Sequence, residues 1–298
     1  MPVRFIDIVF GAAAALAVPL FMVATSDVAS LADTAVTGPL SPSVEIPAGS
    51  LEYRLPGEFL RAGRPANGPI VRVAFDRPFS MMRHQVSAAE YARCVEAGAC
   101  LKADEDEHAA AAGLPMTGVS YIDATSYAAW YTRETGMVWR LPTAAEWAHA
   151  AAERFAGESI PAVADDPANP AVAWIRAYRE ASARTADVEP GARQQGHFGP
   201  NTRGVVDLAG NVWEWTSTCY SRETMGEGDA RLHAVENCRV HVVEGRHRAY
   251  MSDFIRDGVS GGCAVGTPPA NLGIRLVHQP GEAPGMIARL IGWLALGD

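Results

Sequence analysis

GVVDLAGNVWEWT (residues 204–216) sets two carboxylates, Asp207 and Glu214, seven residues apart around a Gly210–Asn211 turn. A chain bent at that turn can aim both carboxylates and nearby backbone carbonyls at one hard cation, and oxygen-only ligation of this kind suits calcium. The same residues also read as a turn between core strands, with Trp213 and Trp215 packed inside and the carboxylates solvated.

Working outward, WRLPTAAEWAHAA (139–151) signals a helix, with Thr143 as N-cap and Glu146 as its capping-box partner. GVSYIDATSYAAWYTRETG places Ala124, Tyr127, Ala128 and Tyr131 at helical spacing and stops at Gly136. HQVSAAEYARCVEAG gives a third helix, with Ser87 capping, Glu90 three residues on, and Tyr91, Cys94 and Val95 on one face. IVRVAF (70–75) alternates as a half-buried strand does, and GVVDLAGNVWEWT, RVHVVEG and NLGIRLV read as short strands. Residues 156–200 read as loop with a short helical run near Ala173–Ala183, and 31–65, rich in Pro, Ser, Gly and Ala, as a linker. Few helices, many short strands and long loops predict an α+β domain over about residues 66–280.

The chain has 298 residues, 48% hydrophobic and 20% charged, with 25 Lys and Arg against 34 Asp and Glu, a net charge of −9. This is globular composition, and the acidic balance argues against a nucleic-acid partner because no basic surplus exists to neutralise phosphates. Residues 1–30 contain Arg4, an apolar run from Ile8 to Val23, and small residues offering cleavage after Ser26, Ser30 or Ala32. They read as an export signal or an uncleaved N-terminal anchor, which places the domain in the periplasm or outside the cell. The tail 281–298 is apolar, with Met286, Ile287, Leu290, Ile291, Trp293, Leu294 and Leu296, and predicts a helix docked on the domain or lying on a membrane surface. In an oxidising compartment Cys94 and Cys100, and Cys219 and Cys238, can each pair and leave Cys263 alone, although the sequence leaves connectivity open.

GVSYIDATSYAAW, WRLPTAAEWAHAA, GVVDLAGNVWEWT and NLGIRLV, in that order, resemble the motifs of the formylglycine-generating enzyme, or sulfatase-modifying factor, superfamily across residues 65–278. The resemblance implies an irregular α+β fold related to C-type lectins, with short strands, a few helices and long loops. It also implies a structural calcium held by the side chains of Asp207 and Glu214 and the carbonyls of Gly210 and Val212. Structural roles are implied for Trp139, Arg140, Pro142, Glu146, Trp147 and Arg275, with Arg140 pairing a carboxylate elsewhere.

The resemblance fails at the chemistry. Catalytic members bind copper(I) through two cysteines just beyond an RGGSW-like strand, and soft thiolates are what that chemistry needs. Setting Glu244–Gly245 on that motif puts Tyr250 and Ile255 where the cysteines belong, while the nearest sulfurs, Cys238 and Cys263, are 25 residues apart. Copper is therefore not expected. The three-histidine set of the iron-dependent sulfoxide synthases is missing too. EGRHRAYMSDFIRD stands instead, supplying His247, Tyr250 and Asp253 as candidate catalytic residues beside Glu244, Arg246, Arg248, Arg256 and Asp257. His247 has the chemistry of a general base or metal ligand; the alternative is a salt-bridged loop in place of a lost active site. His84, before the first helix, is expected to be structural.

HQVSAAEYARCV, VVEGRHRAYMSDFIRD and GGCAVGTPPANLGIRLV further resemble exported family members that accompany copper nitrite reductase in denitrifying bacteria. That implies a maturation or accessory role with a protein or peptide client. A divergent metal-dependent oxidoreductase and a non-catalytic lectin-like binding module are the other two expectations.

Overall fold

The computed structural model describes residues 41–103, 113–157, 191–253 and 271–280, all within the unit Pro39–Asp298, and a capping box begins each of the three α-helices among these described residues. In α1 (Ala88–Glu96) the Ser87 hydroxyl accepts from Glu90 N while the Glu90 carboxylate accepts from Ser87 N. α3 (Ala144–Ala151) repeats this with Thr143 and Glu146. α2 (Tyr121–Thr135) uses Ser120 and Asp123, a box the sequence reading passed over, and ends at a left-handed Gly136, as expected. Each box satisfies helix N–H groups that would otherwise lack partners.

The α2 face read from the sequence is the buried one: Ala124, Tyr127, Ala128 and Tyr131 all lie inside. Tyr127 stacks on Tyr91 of α1 with ring centres 5.8 Å apart, and Trp139, Trp215, Leu272 and Ile274 fill the same core. A second core gathers Ile46, Phe79, Met81, Trp147, Val205, Leu208 and Val277.

Among the described residues the strands form one four-stranded sheet, one six-stranded sheet and one two-stranded ladder. The first sheet runs β1 (Ser43–Ile46), β6 (Phe79–Met82), β12 (Val277–His278), β7 (Trp139–Arg140), antiparallel throughout. The second runs β10 (Ala249–Ser252), β9 (Arg231–Glu244), β8 (Trp213–Met225), β3 (Glu58–Arg61), β4 (Arg64–Ala66). β11 (Leu272–Gly273) joins it, parallel to the start of β8. β2 (Gly49–Arg54) pairs with β5 (Ile70–Phe75), the strand expected from IVRVAF. The fold is α+β and irregular.

Three sequence expectations change. The linker assigned to 31–65 holds β1 to β3 and most of β4, because each short run finds its pairing partner far along the chain: β1 on β6, β2 on β5 and β3 on β8. GVVDLAGNVWEWT is not a short strand but a loop opening into the 13-residue β8. Arg140 pairs with Glu146 itself, two bonds of 2.8 Å, so one carboxylate both caps α3 and holds the arginine. Both disulfides, Cys94–Cys100 and Cys219–Cys238, are formed. The N-terminal segment, the 173–183 run, Cys263 and the C-terminal tail lie outside the described residues. Among the described residues no helix is long and apolar enough to cross a membrane.

Candidate functional site

The deciding loop closes on a buried ion pair. Glu214 and Arg275 are both fully buried. Glu214 Oε1 accepts from Arg275 Nη2 (2.9 Å) and Gln85 Nε2 (2.8 Å), and Oε2 from Arg275 Nε (2.9 Å) and Trp147 Nε1 (2.8 Å). A carboxylate offers about four acceptor positions, and all are taken. The remaining guanidinium N–H groups donate to the carbonyls of Met82, Arg83 and Val206, so every donor is used. Four separate motifs thus meet at one charge pair, each contributing a partner. Gly273 allows the approach: a Cβ there would lie 2.7 Å from the Met116 carbonyl.

This geometry bears on the calcium expectation. Asp207 sits at positive φ (62°), and its carboxylate accepts from Gly196 N (2.6 Å) and Phe198 N (2.9 Å), tying down the neighbouring loop. The Gly210 carbonyl accepts from the Arg246 guanidinium. Asp207 and Glu214 therefore serve two separate hydrogen-bond sets, and Glu214 has no acceptor position left for a cation. The residues do not fit calcium as a four-ligand site. After EDTA treatment, added calcium is expected to leave the melting temperature (Tm) unchanged; a calcium-dependent rise would restore a cation to this loop.

The candidates of the EGRHRAYMSD stretch do not converge. Gly245 lets the chain turn against Trp213, whose ring a Cβ would meet at 2.9 Å. His247 lies exposed on that turn, edge-on to Trp213 (5.0 Å), with Nδ1 3.0 Å from the Arg248 carbonyl. Tyr250 points the other way: its hydroxyl accepts from Gly57 N (2.7 Å), and its ring meets Tyr220 edge-on. Glu244 and Arg248 form a buried pair (2.8 Å), with Arg248 over the Tyr53 ring. Arg246 lies over Phe198. The charges of this turn are thus spent on internal partners, as the salt-bridged alternative requires. Arg256, Asp257 and Ile255 lie outside the described residues.

Asp253 alone enters a buried polar cluster, with a residue the sequence reading missed. It faces His241 of β9, with Oδ1 3.3 Å from Nε2, and Oδ2 lies 3.3 Å from Arg239 Nη1. The His241 ring stacks flat on Tyr121 at 3.5 Å, with Trp215 edge-on behind it. His241 and Asp253 are 3% and 5% exposed, which makes the pair the most secluded histidine–carboxylate contact among the described residues. Burial lowers the pKa of His241, against the opposing pull of Asp253, and favours neutral imidazole. The available signal was the alternation of RVHVVE, which puts His241 in register with Val243 on a strand facing the core.

The formylglycine-generating enzyme of Streptomyces coelicolor is 36% identical over 118 residues, covering 36% of this chain and 33% of that protein. "Inactive C-alpha-formylglycine-generating enzyme 2" of Mus musculus is 35% identical over 108 residues, again covering 36% and 33%. The chain thus spans about a third of the length of these relatives. A catalytic and an inactive relative match almost equally, so identity does not decide the chemistry. Among solved structures, PvdO from Pseudomonas aeruginosa superposes with a TM-score of 0.50 at 21% identity, covering 80% of this chain and 94% of that one, a likeness of fold. Residues 28–280 match the sulfatase-modifying factor enzyme 1-like domain, and the chain belongs to that family.

Proposed function

We propose that this protein is an exported accessory or maturation factor that uses the family scaffold to bind a polypeptide or metalloprotein client, without the copper-thiolate oxidase mechanism. The client class follows from the resemblance to family members that accompany copper nitrite reductase. One observation carries the non-oxidase part: the chain has five cysteines, and four are spent in two disulfides. While both disulfides are intact only Cys263 remains, and one thiol cannot form a two-thiolate copper(I) site within one chain. The disulfides also accord with export, since such bonds persist in oxidising compartments.

Incubated with copper(I), dioxygen and a CxPxR peptide, the protein is expected to yield no formylglycine by mass spectrometry, whereas detectable aldehyde would defeat the non-oxidase reading. Deleting the gene in its host is expected to lower nitrite reductase activity in the periplasmic fraction while leaving sulfatase activity intact. The reverse pattern would move the client to sulfatases.

The His241–Asp253 pair favours a second reading, a divergent enzyme in which His241 accepts a proton from a client residue or small molecule. Turnover that His241→Gln abolishes while Tm stays unchanged would establish it.

A further inference from the structure

We propose that reducing the Cys219–Cys238 disulfide creates a binding site for a zinc-type divalent cation, with Glu236 as the third protein ligand. The Sγ atoms of Cys219 and Cys238 and a Glu236 carboxylate oxygen lie within 4.8 Å of one another, the one such cluster among the described residues. Tetrahedral zinc with thiolate and carboxylate ligands holds its donors about 3.5–3.8 Å apart, so small side-chain rotations close the set.

The strand geometry explains why these three groups meet. Cys219 pairs with His241, and the next residue, Tyr220, pairs with Asn237, so β9 carries Cys238, Arg239 and Val240 as a bulge. A bulge re-aims side chains locally while the ladder continues on either side. Here β8 and β9 remain paired from Tyr220 to Met225 and again at Glu214 and Trp215, so the framework around the cysteines does not depend on their bond. The two Cα atoms are 4.6 Å apart.

Exposure separates this disulfide from the other. Cys238 and Glu236 are exposed and Cys219 is half-buried, whereas Cys94 is fully buried and Cys100 only 6% exposed. Thiol–disulfide exchange needs access for the attacking thiolate, so a dithiol reductant reaches the hairpin bond first. The exchange converts one protein disulfide and one dithiol into two protein thiols and one oxidised dithiol. Binding of a divalent cation then displaces the two thiol protons, giving two thiolates and a carboxylate on the metal. While the disulfide is intact the sulfurs carry no charge, so the redox state gates the site. The added carboxylate suits a borderline divalent ion such as zinc. Three protein ligands leave a fourth position for water or a client group.

The test uses tag-free full-length protein, zinc as ligand and cobalt(II) as spectroscopic probe. After a mild dithiol, differential alkylation is expected to label Cys219 and Cys238 but not Cys94 or Cys100. The reduced protein should bind one zinc per chain and show thiolate-to-cobalt charge transfer, both lacking in the oxidised protein. Cys238→Ser should abolish the charge-transfer band, and Glu236→Gln should weaken zinc binding by about 10–100-fold, the range that losing an outer-shell partner already reaches. Both changes fall on an exposed strand, and circular dichroism checks that the fold is kept. Equal zinc binding by oxidised protein, no binding after reduction, or an unaltered Cys238→Ser variant would overturn the proposal.

Discussion

Arg275→Met is expected to lower Tm by about 6–20 °C, the equivalent of about 3–5 kcal/mol for one partner lost from a buried ion pair in a domain of this size. The loss has two parts. Glu214 is left at full burial with only the Gln85 and Trp147 donors, and the carbonyls of Met82, Arg83 and Val206 lose the bonds that Arg275 makes to them. Arg275→Lys should rescue little, because three donors on a flexible stem cannot replace five in a planar fork. Replacing both charges, Glu214→Leu with Arg275→Met, should recover part of the loss, since a buried pair exchanged together for apolar groups is often close to neutral. Thermal unfolding of the single and double variants checks this. A single variant with unchanged Tm would remove the pair from the centre of the fold.

Lowering the pH from 7.5 to 5 is expected to destabilise the protein through three histidines. Burial lowers the pKa of His84, aided by the nearby Arg275 charge. It does the same for His149, against the bond its ring donates to the Pro47 carbonyl and with help from Arg203. In His241 it outweighs Asp253. All three titrate lower in the folded than in the unfolded chain, so the unfolded state takes up protons first. Their contribution is complete above about pH 6.5, the unfolded value, and is lost as pH falls through each folded pKa, at up to about 1.4 kcal/mol per pH unit for each proton. The carboxylates act in a different window. Burial opposes ionisation of Glu146, but Arg140 and the cap bonds of α3 win and hold its pKa below the ordinary value. Its contribution therefore outlasts that of the histidines and fades only in stronger acid. Tm measured at pH 7.5, 6.5, 5.5 and 5 should fall below pH 6.5, less steeply in His241→Gln. A flat profile would show that these rings are not held neutral by the fold.

What was legible in the sequence was local. Caps such as Ser87 with Glu90 depend on residues three apart, and the buried face of α2 on spacings of three and four, so both can be read without knowing the fold. The four motifs identified the family for the same reason. The strands before Ile70 were not legible. Runs such as SVEI and EFLR are too short to show a period, and their partners, β6 and β8, begin tens of residues later.

The site divides along the same line. Asp253 was picked out by composition, but its partner His241 and the covering Tyr121 stand 12 and 132 residues away, on β9 and α2. His247 and Tyr250 looked equivalent to Asp253 in sequence, yet strand alternation and the turn at Gly245 send them to different surroundings. Both disulfides were available from spacing, although only the fold chose the pairs.

GVVDLAGNVWEWT shows the division most clearly. By itself it determined a turn and a strand, and with three other motifs the family. That its Glu214 carboxylate meets a guanidinium was decided only when Gln85, Trp147 and Arg275 arrived from three other segments. A buried carboxylate takes whatever donors surround it, and those donors are set by packing, not by the residues beside it in the chain.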